Sequence, residues 1–162
     1  MTIKIERILV PIDFSASSLK AKEFADQIAR DMKAEIKLLH VVERSPYEVY
    51  QQRGFLQDVP LYQLPGDTPL AANQKFIIKD VMEETRQELM KIAKADSGVK
   101  YRTDVRHGHP VEEILAEISS YKPGLVVICT HGRTGLTHLV LGSVTEKLVR
   151  LSPVPVLTLR GV

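Results

Sequence analysis

The sequence predicts an α/β protein, a doubly wound sheet of five parallel strands with helices on both faces. Three observations carry this. Short apolar, β-branched runs alternate along the chain with segments whose apolar residues recur at helical spacing. The run Leu125 to Cys129 is apolar throughout, and the run ending at Val42 becomes so, as strands buried on both faces do. Turn and cap residues (Ser15, Gly98, Pro110, Gly124) stand at the joins. Such alternation implies a parallel sheet, and five strands with right-handed crossovers give the common order 3-2-1-4-5.

The chain opens with Arg7-Ile-Leu-Val-Pro-Ile-Asp13, a strand with Pro11 at its end, where a missing N–H costs little. Ser15 is placed to cap a helix running to about Met32, with Ala21, Phe24, Ala25, Ile28 and Met32 at helical spacing. Residues 34–42 form the second strand. Residues 44–72 break the pattern with Pro46, Pro60, Pro65, Pro69, Gly54 and Gly66, and hold four of the nine aromatic residues. A loop this long is a lid, a partner surface or a plain surface excursion, and the plain reading is preferred. A helix from about Asn73 to Ala95 follows, with Ile78, Val81, Met82, Leu89, Ile92 and Ala93 on one face and Ser97-Gly98 at its end. Val99 to Arg106 alternates, as a half-buried strand near a sheet edge does. His107-Gly-His-Pro110 turns into a helix with Pro110 first, Glu112 and Glu113 at its positive end, and Val111, Ile114, Leu115 and Ile118 inward. Lys122-Pro-Gly124 stops it, and Leu125 to Cys129 is the fourth strand. A loop with Gly132, Gly135 and Gly142 leads to Ser143-Val-Thr-Glu146, a capping box before a helix ending near Leu151. Ser152 to Leu159 closes the chain as a strand, with Pro155 marking an edge position.

A length of 162 residues fits one domain, residues 1–162, with a core of its own. A net charge of +2 without a basic run gives no support to nucleic-acid binding. No apolar stretch approaches a membrane span, no signal-peptide core stands at the start, and one cysteine suits a reducing cytoplasm. One Cys and five scattered His show no metal-ligand spacing.

Ligands of a doubly wound sheet bind beyond the strands' C-terminal ends, where the strand order reverses. Here that is between the first and fourth strands, with the second beside them. Asp13 is an acceptor for a base amine or a ribose hydroxyl, and Val41 offers backbone groups and an apolar surface for a base. The 132–145 segment offers amide donors, Arg133, and the hydroxyls of Ser143 and Thr145 for phosphates. Each has a plainer explanation beside it. Asp13 stabilises a helix start, Ser143 and Glu146 are explained as a cap, Gly135 and Gly142 serve loop conformation, and Arg133 is a solvated residue. Cys129 reads as a small packing residue and His40 as a buried strand histidine. There is no P-loop, no dinucleotide fingerprint and no serine nucleophile elbow, and His107-Gly-His109 is a turn.

Taken together, Ile8-Leu-Val-Pro-Ile-Asp13-Phe-Ser, Leu39-His-Val-Val42, Gly108-His-Pro110, Thr130-His-Gly-Arg-Thr-Gly135, Leu141-Gly-Ser-Val-Thr-Glu146 and Pro153-Val-Pro-Val156 make the sequence similar to the universal stress protein family over nearly its whole length. The resemblance implies a flavodoxin-like fold of the adenine nucleotide alpha-hydrolase type, and commonly a dimer. It implies ATP binding through a Gly, two residues, Gly, nine residues, Gly, then Ser or Thr. The second and third glycines fall on Gly132 and Gly142, followed by Ser143, while the first falls on Cys129. Base or ribose contacts are implied at Pro11, Ile12, Asp13 and Val41, and phosphate contacts from Gly132, Arg133, Gly135 and Gly142 through Ser143, Val144 and Thr145. The expectation is a cytoplasmic stress-response module binding ATP, with or without Mg2+, and less readily AMP or cyclic AMP. It dimerises through the edge strand 154–159 and turns ATP over slowly or not at all. The alternatives are an interaction protein that binds no nucleotide, and a slow ATPase or autophosphorylating protein labelled at Ser143 or Thr145.

Overall fold

A computed structural model describes residues 5–43, 69–94, 98–130 and 142–160, with side chains in the 69–94 stretch from residue 79 onward. The expected loop up to residue 68 and residues 131–141 lie outside the described residues. The elements in chain order are β1 (Arg7–Pro11), α1 (Ala16–Met32), β2 (Glu35–Val42), α2 (Pro69–Lys94), β3 (Lys100–His107), α3 (Pro110–Tyr121), β4 (Leu125–Cys129), α4 (Ser143–Leu151) and β5 (Val156–Leu159). The strands form one parallel sheet in the order β3-β2-β1-β4-β5, as the alternation predicts. β1 is central, pairing Ile8 with Ile36 on one side and with Leu125 on the other.

Among the described residues, each face of the sheet carries two helices. Ile8, Val10, Ile36, Leu38, Val127 and Cys129 pack under α1 and α2, against Ala21, Ala25, Leu89 and Ala93. Leu9, Leu39, Val126 and Ile128 pack under α3 and α4, against Ile114, Ile118 and Leu148. Among the described residues no helix is long and apolar enough to cross a membrane.

Four local readings are corrected. Phe24 and Met32 are 39% and 47% exposed rather than inward. The inner face of α1 is Ala21, Ala25 and Ala29 with a buried Lys22–Asp26 pair (2.7 Å), whose carboxylate also accepts from the Tyr101 hydroxyl. The three alanines let the helix lie close to the sheet, and the larger apolar residues are turned to its flank. α2 begins at Pro69, four residues before the expected start, because proline suits a first turn whose N–H groups have no partner. β5 begins only at Val156, since the Ser152 hydroxyl turns back on Val154 (2.8 Å) and shapes a bend ahead of the strand. Ser143 is the first helical residue of α4 and not its cap; the cap position is Gly142 (φ −57, ψ 143), so no capping box forms.

Candidate functional site

The strand ends, three helix starts and the turn after β1 meet at one end of the sheet. Ile12 N–H donates to the Leu39 carbonyl (2.8 Å), which carries the β1–β2 pairing past the end of β1. The chain then reverses sharply, with Phe14 in the left-handed region at φ +63. Asp13 turns its Oδ1 to the Ser15 amide (3.0 Å) and hydroxyl (2.5 Å), while Ser15 Oγ accepts from Ser18 N–H (3.1 Å) and caps α1. Asp13 thus does serve the helix start, as its plainer reading holds.

On the other side of the crossover, β4 and α4 are bound directly. Gly142 N–H donates to the Thr130 carbonyl (2.8 Å), and the buried Thr145 hydroxyl donates to the Cys129 carbonyl (2.8 Å). A Cβ on Gly142 would stand 2.9 Å from that Thr130 oxygen. Glycine is therefore required by the turn itself, before any ligand is considered. Cys129 Sγ points to the Ser17 carbonyl (2.8 Å), toward α1. Its burial pushes the thiol up from its ordinary range. The Asp13 charge adds to that, and the Ala21 amide and Lys20 pull the other way.

Between these walls lies a cavity of about 500 Å³, a size usual for small-molecule sites. Pro11, Ile12, Asp13, Val41, Cys129, Gly142, Ser143, Val144 and Thr145 all line it. Gly132, Arg133 and Gly135 lie outside the described residues. The reading from sequence missed Phe14, His40 and the α2 wall of Val81, Thr85 and Glu88. Only His40 had a signal, a polar residue inside an apolar strand; Thr85 and Glu88 look like any outward positions of a helix.

Charge is divided across the cavity. The described lining holds the carboxylates of Asp13, Glu43 and Glu88 on the β1, β2 and α2 side, and no Lys or Arg. The α4 side offers the first-turn amides of Ser143, Val144 and Thr145, which have no partner within the helix. An anion is favoured at such a helix start. Among the described residues no group of three His, Cys, Asp or Glu is placed to hold a metal ion.

Fold and site together define a flavodoxin-like α/β protein with a cavity where its strand order reverses. The chain belongs to the universal stress protein family, whose sequence profile matches residues 4–160. It is 30% identical over 158 residues to the universal stress protein MJ0531 of Methanocaldococcus jannaschii, covering 96% of this chain and 82% of that protein. It is also 30% identical over 160 residues to the universal stress protein YxiE of Bacillus subtilis, covering 95% and 98%. Among solved structures, that of MJ0577 matches with a TM-score of 0.71 at 25% identity, covering 99% of both chains. A universal stress protein in complex with cAMP matches at 0.60 and 23%, covering 97% of this chain and 98% of that one. One from Arabidopsis thaliana with AMP bound matches at 0.51 and 18%, covering 95% and 90%.

Proposed function

We propose that this universal stress protein is a cytoplasmic, homodimeric module that binds an adenine nucleotide, ATP first and AMP or cyclic AMP less readily, and acts in stress responses through its nucleotide state. The observation that carries the reading is the cavity of about 500 Å³, which has helix amides without intrahelical partners on one wall and carboxylate and backbone acceptors on the other. Phosphates belong at the Gly142 to Thr145 turn, and the sequence pattern adds Gly132, Arg133 and Gly135 as further phosphate contacts. The base and ribose belong against Pro11, Ile12, Asp13 and Val41. Mg2+, where present, comes with the phosphates. The relatives holding cAMP and AMP support an adenine nucleotide as the ligand class. Turnover is slow or absent: the Thr145 hydroxyl is engaged by the Cys129 carbonyl, which leaves Ser143 as the exposed hydroxyl of this turn.

Mass spectrometry of small molecules released from denatured, freshly purified protein, followed by calorimetry with ATP, AMP and cyclic AMP, tests this. Retained adenine nucleotide, or saturable heat with at least one of the three, is expected. Neither would sink the reading and favour an interaction protein without nucleotide, with Cys129 as the mark of that departure. Asp13→Asn keeps an acceptor for Ser15 but removes the charge, and is expected to weaken nucleotide binding about tenfold, the worth of a charge-assisted hydrogen bond.

A further inference from the structure

His40 is a buried polar side chain in the cavity wall that neither the sheet nor the ligand reading accounts for. It is 8% exposed, it lines the cavity, and its Nδ1 lies 2.6 Å from the Ile12 carbonyl oxygen. A carbonyl only accepts, so Nδ1 carries the proton. Two residues beyond Ile12, Phe14 rests its ring against the His40 ring, with centroids 4.8 Å apart and planes at 45°. Phe14 is also in the left-handed backbone region, at φ +63. Among the described residues the other two non-glycine residues with positive φ, Lys33 and Lys122, are helix C-caps, where that conformation is an ordinary ending. Phe14 instead lies between a strand and a helix start, where helix geometry asks for nothing of the kind. A bulky residue stays in this region only when its surroundings hold it there. The residues on either side of Asp13 are both held by one imidazole, and the Ile12 amide is held by Leu39, its neighbour in β2.

We propose that His40 is a positioning residue of the nucleotide site. It locks the β1–α1 turn in the left-handed form that turns Asp13 and the Pro11–Ile12 backbone to the ligand. This rests on the nucleotide reading above and deepens it, because the shape of the turn sets how well the carboxylate meets the ribose or base. The side chain touches the turn and acts on the ligand through it.

The test compares wild type with His40→Leu, which fills space without donating, and His40→Asn, whose amide nitrogen can take the place of Nδ1. ATP calorimetry is expected to show His40→Leu about tenfold weaker and His40→Asn within about threefold of wild type. Nitrogen-15 NMR of wild type is expected to show the Nδ1–H tautomer, and His40→Leu is expected to shift the Asp13 and Ser15 amide resonances. An Nε2–H tautomer overturns the proposal, as does His40→Leu binding ATP like wild type. Should His40→Leu fail to fold, the wild-type tautomer and the His40→Asn affinity decide. Should wild type bind no adenine nucleotide, the functional reading fails, and the amide shifts alone decide whether His40 holds the turn.

Discussion

Cys129 takes its meaning from where its sulfur points. Sγ faces the Ser17 carbonyl and the side chain packs in the cluster under α1 and α2. What the residue presents at the β4–α4 turn is its carbonyl, already engaged by Thr145. The thiol is pushed up first by burial, so it stays protonated through the neutral range and is a poor nucleophile. Iodoacetamide at pH 8 is expected to label denatured protein at least about tenfold faster than folded protein; equal rates would show an open thiol. Cys129→Gly supplies the glycine that the resemblance to the ATP-binding pattern implies at this position. It is expected to cost about 1–2 kcal/mol in urea unfolding, from lost burial and added backbone freedom in a strand, while ATP affinity moves by less than about threefold. A large gain in affinity would show instead that the thiol obstructs the site. Much of the candidate site was legible at this scale because the crossover rule and the motif spacing point to strand ends, and strand ends are local. The turn at Phe14 was not legible: a phenylalanine with positive φ runs against its own propensity, so only the surroundings reveal it.

At the scale of elements, the far end of the sheet shows how β2, β3 and α3 are fastened together. Glu35 of β2 meets Arg102 (2.6 Å) and Lys100 (2.9 Å) of β3 and the Tyr121 hydroxyl (3.1 Å) at the end of α3. Burial alone would raise its carboxyl. The hydrogen bonds from Lys100 and Tyr121 and the charges of Arg102 and Lys100 outweigh that, and hold it below the usual carboxylate range. A lowered folded value means stability that is present above the unfolded carboxylate range and is lost as pH falls through the folded value. Lys100 and Arg102 are 75% and 61% exposed, so solvent screens the pairs. Glu35→Gln is expected to cost about 0.5–1 kcal/mol at pH 7, with the gap narrowing as pH falls below the usual carboxylate range and shrinking in 0.5 M salt. A gap that does not narrow with falling pH would assign the loss to packing. The elements themselves were legible from period and punctuation, and their existence and order follow. Their inner faces were less so. α1 buries Lys22 and Asp26 and turns Phe24 outward, because two charges that satisfy each other can replace an apolar stripe. At α4, Ser143 and Glu146 have capping-box spacing, but the Gly142–Thr130 bond sets the helix start one residue earlier.

For the whole molecule, the two edges of the sheet differ in what they offer a second copy. β3 carries Lys100, Arg102, Asp104 and Arg106, the kind of charged edge that discourages strand pairing. β5 carries Val156, Leu157, Thr158 and Leu159, none of them fully buried, and is flanked by Val149 and Leu151 of α4, which are 50% and 57% exposed. The carbonyls of Pro155 and Leu159 accept from Val126 and Thr130, so the alternate residues Val156 and Thr158 direct their backbone groups away from β4. An apolar edge with outward donors pairs readily with a second copy across a two-fold axis. Thr158→Pro removes one outward N–H while the bonds to β4 remain, a substitution that edge strands tolerate. Light scattering at micromolar concentration is expected to give a dimer for wild type and a monomer for Thr158→Pro, with the far-ultraviolet circular dichroism of the two alike. A dimer that survives the substitution would place the contact elsewhere, and a monomeric wild type would remove pairing through β5 altogether.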